Sequence, residues 1–253
     1  MNILISGFSG RMGQTIYNCS KKMEGLTVTE GFVLPREVES CQAEHPEVTV
    51  FGDLNNSKNC DVVIDFSHNS ITSTVIDFCV KNKKPLVLAT TGLTKEHEKQ
   101  VLEATKVIPI FKSSNMSEGV FILLNLIKKA TEMMKTGWDI EIIEKHHNAK
   151  KDAPSGTGLM MAREVSQIKT EAELVFGRNP SSEKRKPQEV GIHAVRGGGI
   201  VGDHEIDFVN ENELITIRHE AFSKNIFAEG SLKAAKFIAD QKPGLYGMKN
   251  LFD

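Results

Sequence analysis

The chain has 253 residues, of which 40% are apolar and 25% charged, and its formal net charge at pH 7 is −2. These values are typical of a soluble globular protein with one large domain or two modest ones, and they do not favour a partner that is nucleic acid or a membrane surface. The sequence opens with an apolar segment, shows no signal peptide and has no long apolar span, so we expect a cytoplasmic protein.

The first predicted elements are a short apolar strand at residues 1–6 and a helix that ends near residue 22. Between them lie Gly7, Gly10 and Gly13. A strand, a glycine turn and a helix are the opening of a dinucleotide-binding unit, because the glycines let the backbone approach a pyrophosphate at the helix N-terminus. The spacing is G-x-x-G-x-x-G rather than G-x-G-x-x-G, so a tight turn without a ligand is the alternative interpretation of the motif alone.

The second predicted strand covers residues 26–34 and is followed by Pro35 and Arg36. In NAD-binding proteins an acidic residue often ends this strand and holds the adenosine ribose, whereas here Glu37 is only close to the tip. Arg36 and Arg11 favour bidentate contacts with a ribose 2′-phosphate, and therefore NADPH. Plain solvent exposure is the alternative interpretation of each arginine.

Strands and helices alternate through the rest of the first half, with strands predicted at 60–66, 85–89 and 107–111 and helices at 70–82 and 94–104. This alternation predicts a parallel sheet wound with helices, which binds ligands beyond the C-terminal ends of its strands. The polar residues at those ends, in Phe66-Ser67, Thr90-Thr91-Gly92 and Ser113 to Met116, form the predicted edge of the site.

The second half changes character after a predicted helix at residues 120–134. Strands are predicted near residue 140 and at 172–176, 190–195, 200–209 and 214–220, with one helix at 155–167 and a last helix at 226–240. Strands without intervening helices favour a mixed or antiparallel sheet. The sequence therefore predicts an α/β protein, with a Rossmann-like dinucleotide-binding domain (1–117 and 226–253) and a mixed-sheet α+β domain (118–225).

Residues 197–202 also satisfy G-x-G-x-x-G, but a strand-like segment follows them instead of a helix. A phosphate-binding role needs the helix N-terminus. We therefore interpret this segment as a flexible turn or lid near the site.

The segment from Glu141 to Gly158 places two histidines, two lysines and an aspartate between a strand end and a helix start. Histidine donates a proton near neutral pH, and Lys150 supplies positive charge or a proton. If the strand continues through His147, alternation places His146 and His147 on opposite faces. Ser155, Gly156 and Thr157 offer hydroxyls and backbone N–H groups to a carboxylate or phosphate.

Two other interpretations of this segment are weaker. A polar loop with solvated lysines and a capping serine explains any one of its residues, but not their convergence on a helix N-terminus. A metal site at His146, His147 and Asp152 is disfavoured, since adjacent histidines on a strand diverge and no third His or Cys stands at ligand spacing. We therefore expect a catalytic site without a metal.

The run Glu141-x-x-Glu144-x-His146-His147-x-x-Lys150-x-Asp152-x-Pro154-Ser155-Gly156-Thr157 resembles the signature of the bacterial dihydrodipicolinate reductase family, and the resemblance extends over essentially the whole chain. It implies the reduction of 4-hydroxy-tetrahydrodipicolinate, a cyclic dicarboxylate, to tetrahydrodipicolinate by NADPH or NADH in diaminopimelate and lysine biosynthesis. It also implies a homotetramer assembled through the second domain.

The resemblance implies roles for individual residues. His146 and Lys150 form the catalytic pair, and one of them protonates the substrate carbon as hydride arrives. The residues that hold the two substrate carboxylates are His147, Lys150, Ser155, Gly156 and Thr157. The residues that bind the cofactor are Gly7, Ser9, Gly10, Arg11, Met12, Arg36, Phe66, Ser67, Thr90, Thr91, Gly92, Ser113, Asn115 and Met116.

The sequence departs from the family pattern at two positions. Many members carry an acidic residue where Pro35 stands, so we expect NADPH to be preferred over NADH. Lys224 stands where an arginine is expected near the catalytic histidine, and a lysine keeps the charge but loses the bidentate fork. Two rival functions are an aspartate or homoserine dehydrogenase-like enzyme on the same architecture and a non-catalytic NADP sensor.

Overall fold

The computed structural model describes residues 1–252, which form two compact units. The first unit comprises Met1–Ser117 and the segment that begins at Lys224, and the second comprises Glu118–Ser223. The sequence prediction set its boundaries after residues 117 and 225.

The strands in chain order are β1 Asn2–Ser6, β2 Thr27–Phe32, β3 Thr49–Phe51, β4 Val62–Asp65, β5 Leu86–Leu88, β6 Pro109–Lys112, β7 Asp139–His146, β8 Glu173–Phe176, β9 Glu189–Arg196, β10 Gly202–Val209, β11 Leu214–Ala221 and β12 Gly244–Tyr246. The α-helices are α1 Arg11–Ser20, α2 Val38–Glu44, α3 Thr72–Asn82, α4 Lys95–Ala104, α5 Glu118–Met133, α6 Gly156–Ile168 and α7 Asn225–Ile238. Short 3₁₀ helices lie at Pro35–Glu37, Leu54–Asn56, Asn69–Ile71 and Met248–Leu251.

The first unit is built on a parallel sheet with strand order β12-β6-β5-β4-β1-β2-β3. Its central strands are short, nearly continuous apolar runs, as expected for strands that are buried on both faces. The strand order reverses at β1, which pairs with β2 on one side and β4 on the other. Ligands bind at such a reversal, outside the carboxyl ends of the strands. The predicted α/β fold class is confirmed.

The last helix of the chain, α7, belongs to the first unit and contacts α1 and the middle of the sheet. Gly230 on α7 leaves no room for a side chain, because a Cβ there would overlap the carbonyl oxygen of Met116. Phe237, also on α7, packs edge-to-face on Phe111 of β6 with ring centroids 6.2 Å apart. The return of the chain to the first unit is therefore a tightly packed feature.

The second unit, all of whose residues the structure describes, holds a five-stranded mixed sheet with strand order β11-β10-β7-β9-β8. β7 pairs parallel with β9 and antiparallel with β10. One face of the sheet is covered by α5 and α6, and the core between them includes Ile142, Ile192, Phe208, Leu123 and Met161. The other face carries many charged side chains, among them Glu141 and Lys145, which are half-buried, and Asp203, which is buried.

The sequence prediction did not include α2, β3 or β12. Its strand at 107–111 lies at Pro109–Lys112, and its strand at 200–209 begins only at Gly202. The four cysteines are free and buried, and they form no disulfide within residues 1–252. Across the same residues, none of the helices combines the length and the apolar character that a membrane span requires.

Candidate active site

The turn after β1 is built from glycines that leave no space for side chains. Gly7 has φ +81°, a left-handed conformation that favours glycine, and a Cβ there would lie 3.0 Å from the carbonyl oxygen of Phe66. A Cβ at Gly13 would collide with the backbone of Gly7. The N-cap of α1, Gly10, makes no side-chain cap, and the first helical turn has no acidic residue. This turn fits the pyrophosphate of a dinucleotide at the helix N-terminus.

A hydroxyl group and three charged side chains lie beyond the C-terminal ends of β1 and β2. The Ser9 hydroxyl donates a hydrogen bond to Glu37 Oε2 at 2.7 Å. The Arg36 side chain is 80% exposed, with its Nε 4.0 Å from Glu37 Oε1. Arg11, the first residue of α1, is also exposed. The carboxylate that the sequence prediction left beside the strand tip is thus held against the glycine turn.

The ends of β4 and β5 are joined by Asp65, which is fully buried. Its carboxylate accepts hydrogen bonds from Ser67 Oγ at 2.5 Å and from Thr90 Oγ1 at 2.9 Å. Burial raises the pKa of Asp65, although the hydroxyl donors oppose this shift. Asn69 Nδ2 donates to the carbonyl oxygen of Gly92 at 2.6 Å. These bonds fix two of the predicted cofactor loops relative to each other.

The loop after β6 completes the same edge of the sheet. Ser113 Oγ donates to the carbonyl oxygen of Asn115 at 2.6 Å, and Met116 is buried. The structure therefore brings the predicted cofactor residues together along the carboxyl ends of the parallel strands, with the side chains of Arg11 and Arg36 exposed to solvent.

In the second unit, β7 ends at His146 and does not continue through His147. Alternation along the strand buries Ile142, Glu144 and His146 on the face that α5 and α6 cover, whereas His147 is half-buried beyond the strand. The strand end thus delivers a carboxylate and an imidazole, two residues apart, to the same side of the sheet.

The Glu144 carboxylate has no exposed surface and is held by three neighbours. Arg196 from β9 donates two hydrogen bonds to it, from Nη1 to Oε2 at 2.9 Å and from Nη2 to Oε1 at 2.8 Å. The backbone N–H of Ser155 donates to Oε1 at 3.0 Å. His146 Nδ1 lies 2.6 Å from Oε2. Burial opposes the charged form, but these donors outweigh it and lower the pKa of Glu144.

His146 is buried against polar groups from three strands. Burial lowers its pKa below the usual histidine value, whereas Glu144 acts in the opposite direction and Lys150 and Arg196 add to the lowering. A Cβ on Gly202 of β10 would lie 3.2 Å from His146 Nε2. The glycine at this position therefore keeps a side chain away from the second ring nitrogen.

The helix α6 begins at a fixed cap directly beside this cluster. Ser155 is its N-cap, and the Ser155 hydroxyl accepts a hydrogen bond from the N–H of Gly158 at 3.1 Å. The same hydroxyl lies 2.9 Å from Nε2 of His204 on β10, whose ring packs edge-to-face on His146 with centroids 5.0 Å apart. Burial lowers the pKa of His204 to about 4, so this ring is neutral at pH 7.

The remaining predicted substrate residues surround the same strand end. Lys150 Nζ pairs with Asp152 at 2.9 Å, and its backbone N–H donates to the carbonyl oxygen of His147 at 3.1 Å. Gly156 is exposed and Thr157 half-buried in the first turn of α6. Within residues 1–252, the side chains do not form a group of three or more metal-ligating residues.

Sequence reasoning singled out His146 but not the side chains that hold it. Glu144 could have been found, because a residue two positions before His146 on a strand shares its face. Arg196 and His204 carry no such signal, since they reach the cluster from β9 and β10, and Arg196 is 52 residues away from Glu144 in the chain.

A parallel dinucleotide-binding sheet with a glycine turn, in one chain with a second unit that carries histidine and lysine at a strand end, defines a two-domain oxidoreductase that uses a nicotinamide dinucleotide. Family models described as dihydrodipicolinate reductase, N-terminus and C-terminus, match residues 1–116 and 119–252. The chain belongs to the dihydrodipicolinate reductase family.

Relatives named 4-hydroxy-tetrahydrodipicolinate reductase match over almost the whole length. The protein of Caldanaerobacter subterraneus subsp. tengcongensis is 46% identical over 253 residues, which are 99% of this chain and 98% of the relative. The protein of Clostridium tetani is 41% identical and covers 98% and 95% of the two chains. The resemblance to this family is thereby confirmed, against the aspartate or homoserine dehydrogenase alternative.

Solved structures share the fold. A dipicolinate-bound dihydrodipicolinate reductase from Paenisporosarcina sp. TG-14 superposes with a TM-score of 0.81 at 24% identity, covering 99% of this chain and 98% of that chain. A probable dehydrogenase from Thermotoga maritima gives a TM-score of 0.66 at 13% identity, covering 99% and 92%.

Proposed function

We propose that the end of β7 carries the chemistry of this chain, which reduces 4-hydroxy-tetrahydrodipicolinate to tetrahydrodipicolinate with a hydride from NADPH or NADH, as a step of diaminopimelate and lysine biosynthesis. The observation that carries the residue assignments is the end of β7. There His146 is buried on Glu144, Lys150 follows in the next turn of chain, and the N-terminus of α6 begins at Ser155.

We assign proton transfer to the pair His146 and Lys150. Because Glu144 occupies Nδ1 of His146, Nε2 is the ring atom left to exchange a proton with the substrate. When bound, the nicotinamide supplies the hydride, and the protein residues supply the matching proton to the substrate carbon. Lys150 is the second donor and adds positive charge near the substrate anion.

We assign the two substrate carboxylates to His147, Lys150 and the first turn of α6. The backbone N–H groups at Gly156 and Thr157 point along a helix start without acidic residues in its first turn, which favours an anion. The hydroxyl and N–H of Ser155 already have partners inside the protein, so Ser155 contributes chiefly as the cap that fixes this helix start.

The cofactor residues proposed from the sequence remain those along the edge of the parallel sheet, and NADPH remains the proposed preferred cofactor. Arg36→Ala should raise the KM for NADPH and spare that for NADH, because only NADPH carries a 2′-phosphate. Glu37→Gln, which removes the carboxylate from the same turn, is the matched variant and should not raise the KM for NADPH. Equal effects of Arg36→Ala on both cofactors would leave Arg36 as a surface residue.

We also propose a cytoplasmic homotetramer assembled through the sheet face of the second unit that α5 and α6 leave uncovered. That face is dense in charge: Asp203 pairs with Lys145 at 3.0 Å and with Arg218 at 2.8 Å. Light scattering should give four times the 28.0 kDa chain mass, and Arg218→Glu should lower it. Lys128→Glu, on the outer side of α5, is the control.

The decisive assay is oxidation of NADPH and of NADH by the purified protein, with and without fresh condensate of pyruvate and aspartate semialdehyde. Oxidation that requires the condensate supports the proposed reaction, and the two rates test the cofactor preference. Tight NADPH binding without turnover would instead support the sensor.

A further inference from the structure

The residues around Glu144 form a chain of contacts that ends on the proposed proton donor. Arg196 grips both oxygens of the carboxylate, and the carboxylate in turn contacts Nδ1 of His146 at 2.6 Å. The three residues come from two neighbouring strands, because β9 places Arg196 opposite His146 in the register. In the proposed proton transfer, neither Glu144 nor Arg196 gives a proton to the substrate or takes one from it.

The hydrogen bond fixes which ring nitrogen of His146 carries a proton. An ionised carboxylate only accepts hydrogen bonds, so Nδ1 must be the donor. Hydrogen bonds from Arg196 and from the Ser155 N–H keep Glu144 ionised despite its burial. The neutral imidazole therefore has its lone pair on Nε2, on the side that Gly202 leaves clear.

The arginine has a separate electrostatic consequence. A buried carboxylate beside a histidine stabilises the imidazolium, as in the aspartate–histidine pair of serine proteases. Here the guanidinium balances that negative charge, and the groups facing His146 from the other elements are the neutral ring of His204 and the ammonium of Lys150. The surroundings of His146 are thus nearly neutral or positive, which favours release of its proton.

We propose that Glu144 and Arg196 are positioning residues for His146, with Glu144 fixing the ring so that Nε2 faces the substrate side and Arg196 balancing the charge of Glu144. The proposal rests on the assignment of His146 as a proton donor in the function proposed above. A carboxylate alone would hold the proton on His146 too firmly, and the arginine alone would leave the ring without an orienting partner.

The proposal makes opposite predictions for its two residues. Glu144→Gln removes the negative charge and should lower the pKa of His146, whereas Arg196→Met leaves the carboxylate unbalanced and should raise it, each by about one unit or more. Arg196→Lys keeps the charge and should restore most of the wild-type value. If the two residues had only a structural role, the pKa of His146 would shift in the same direction in both variants, or would not shift.

The test is an NMR titration of the histidine side chains in the free protein. The imidazole resonances of His146 are assigned as those missing from the spectrum of His146→Gln. The pH profile of kcat/KM provides the second readout. Its apparent pKa should fall in Glu144→Gln and rise in Arg196→Met. Glu141→Gln and Arg185→Met are the matched controls, because they alter the same residue types on the opposite face of β7. These controls should leave the His146 titration in place.

If Glu144→Gln does not fold, Glu144→Asp replaces it, since the shorter side chain withdraws the charge from His146 and should shift the pKa in the same direction. Shifts of the same sign in the Glu144 and Arg196 variants, or shifts equal to those of the controls, would overturn the proposal. Because the titration needs no substrate, its outcome is independent of the proposed reaction, which the condensate-dependent oxidation assay tests. The role of His146 as proton donor is tested separately, and it is wrong if His146→Gln keeps normal turnover.

Discussion

The two faces of β7 carry the same three residue types in two very different settings. On the helix-covered face, Glu144 meets Arg196 and His146, and on the opposite face Glu141 meets Arg185 at 2.9 Å and His193 at 2.7 Å. The arginine side chains are similarly exposed, at 19% and 18%. The carboxylates differ: 0% of the Glu144 side chain is exposed and 23% of that of Glu141.

This difference shows that residue types and hydrogen-bond lengths do not by themselves identify a site. Water still reaches the Glu141 group, so its charges are screened and removing one partner leaves the others solvated. The Glu144 carboxylate is not exposed to solvent, so its charge and those of its partners interact at a low effective dielectric constant. Only the buried group also lies beside a helix N-terminus.

Replacing the histidine on each face of β7 should give the largest difference in kcat between the two faces. His146→Gln should reduce kcat by about 10²–10⁴-fold, the usual contribution of a general acid, with little change in cofactor affinity. His193→Gln should leave kcat within about twofold, since the proposed proton transfer does not use it. Condensate-dependent NADPH oxidation measures both, and equal losses would remove the distinction between the faces.

Lysine offers a similar contrast of the two faces. Lys150→Ala, beyond the end of β7, should also lower kcat by about 10²-fold or more, because it removes the proposed second proton donor and a proposed ligand of the substrate carboxylates. Lys145→Ala on the charged face removes the partner of Asp203 and should change turnover far less. Near-normal turnover of Lys150→Ala would show that His146 supplies the proton alone.

The stability of the two carboxylate groups should differ as well. Glu144→Gln leaves the guanidinium of Arg196, whose side chain is 19% exposed, without its counter-charge, and breaking a largely buried ion pair costs about 3–5 kcal/mol of unfolding free energy. Glu141→Gln should cost about 1 kcal/mol or less, as for partly exposed pairs. Urea unfolding at pH 7.5 measures both values, and similar costs would mean that burial does not separate the groups.

Acid should destabilise the helix-covered face more than the other. The folded pKa of His204, about 4, lies below the usual 6.5, so the unfolded chain binds more protons between these values and stability falls as the pH falls through this window. The loss attributable to His204 is roughly 3 kcal/mol at pH 4. Urea unfolding at pH values from 7 to 4 measures this loss of unfolding free energy. The loss should be smaller in His204→Gln than in the wild-type protein, whereas His193→Gln should lose as much as the wild type.

Glycines adjoining each group provide the mildest contrast. Gly202→Ala places a methyl group 3.2 Å from His146 Nε2 and should lower kcat roughly tenfold, about 1.4 kcal/mol in the barrier. Gly191→Ala displaces only the flexible end of Glu141, so its kcat should stay near the wild-type value. If both variants turn over normally, Nε2 does not need the open side that Gly202 provides.

Periodicity and glycine placement predicted most of the fold. The strands β1, β4 and β5 are apolar runs followed by turns and helical segments, and this local pattern is sufficient to predict a parallel sheet. The elements that were missed are short: α2 spans seven residues, and β3 and β12 span three each. Their identity depends on pairing with distant segments, as for β12 on the edge beside β6.

The candidate site also contains residues that the sequence could bring together and residues that it could not. His146, Lys150 and the cap Ser155 lie in one continuous segment, so the sequence alone could place them next to one another. Arg196 and His204 are contributed by β9 and β10, and they meet Glu144 and Ser155 only through the register of the sheet. A single sequence contains the alternation along a strand but not the partner that each strand chooses.

The position of α7 has a consequence for how the protein is made. A ribosome releases the first 117 residues of the parallel sheet long before it reaches Lys224, and the whole second unit is synthesised in between. Until α7 emerges, α1 and the backbone at Met116 lack the helix that packs on them, and β6 lacks its neighbour β12. The first unit therefore completes its folding last although its synthesis begins first, and its sheet stays without α7 and β12 throughout that interval, which exposes it to incorrect strand pairing.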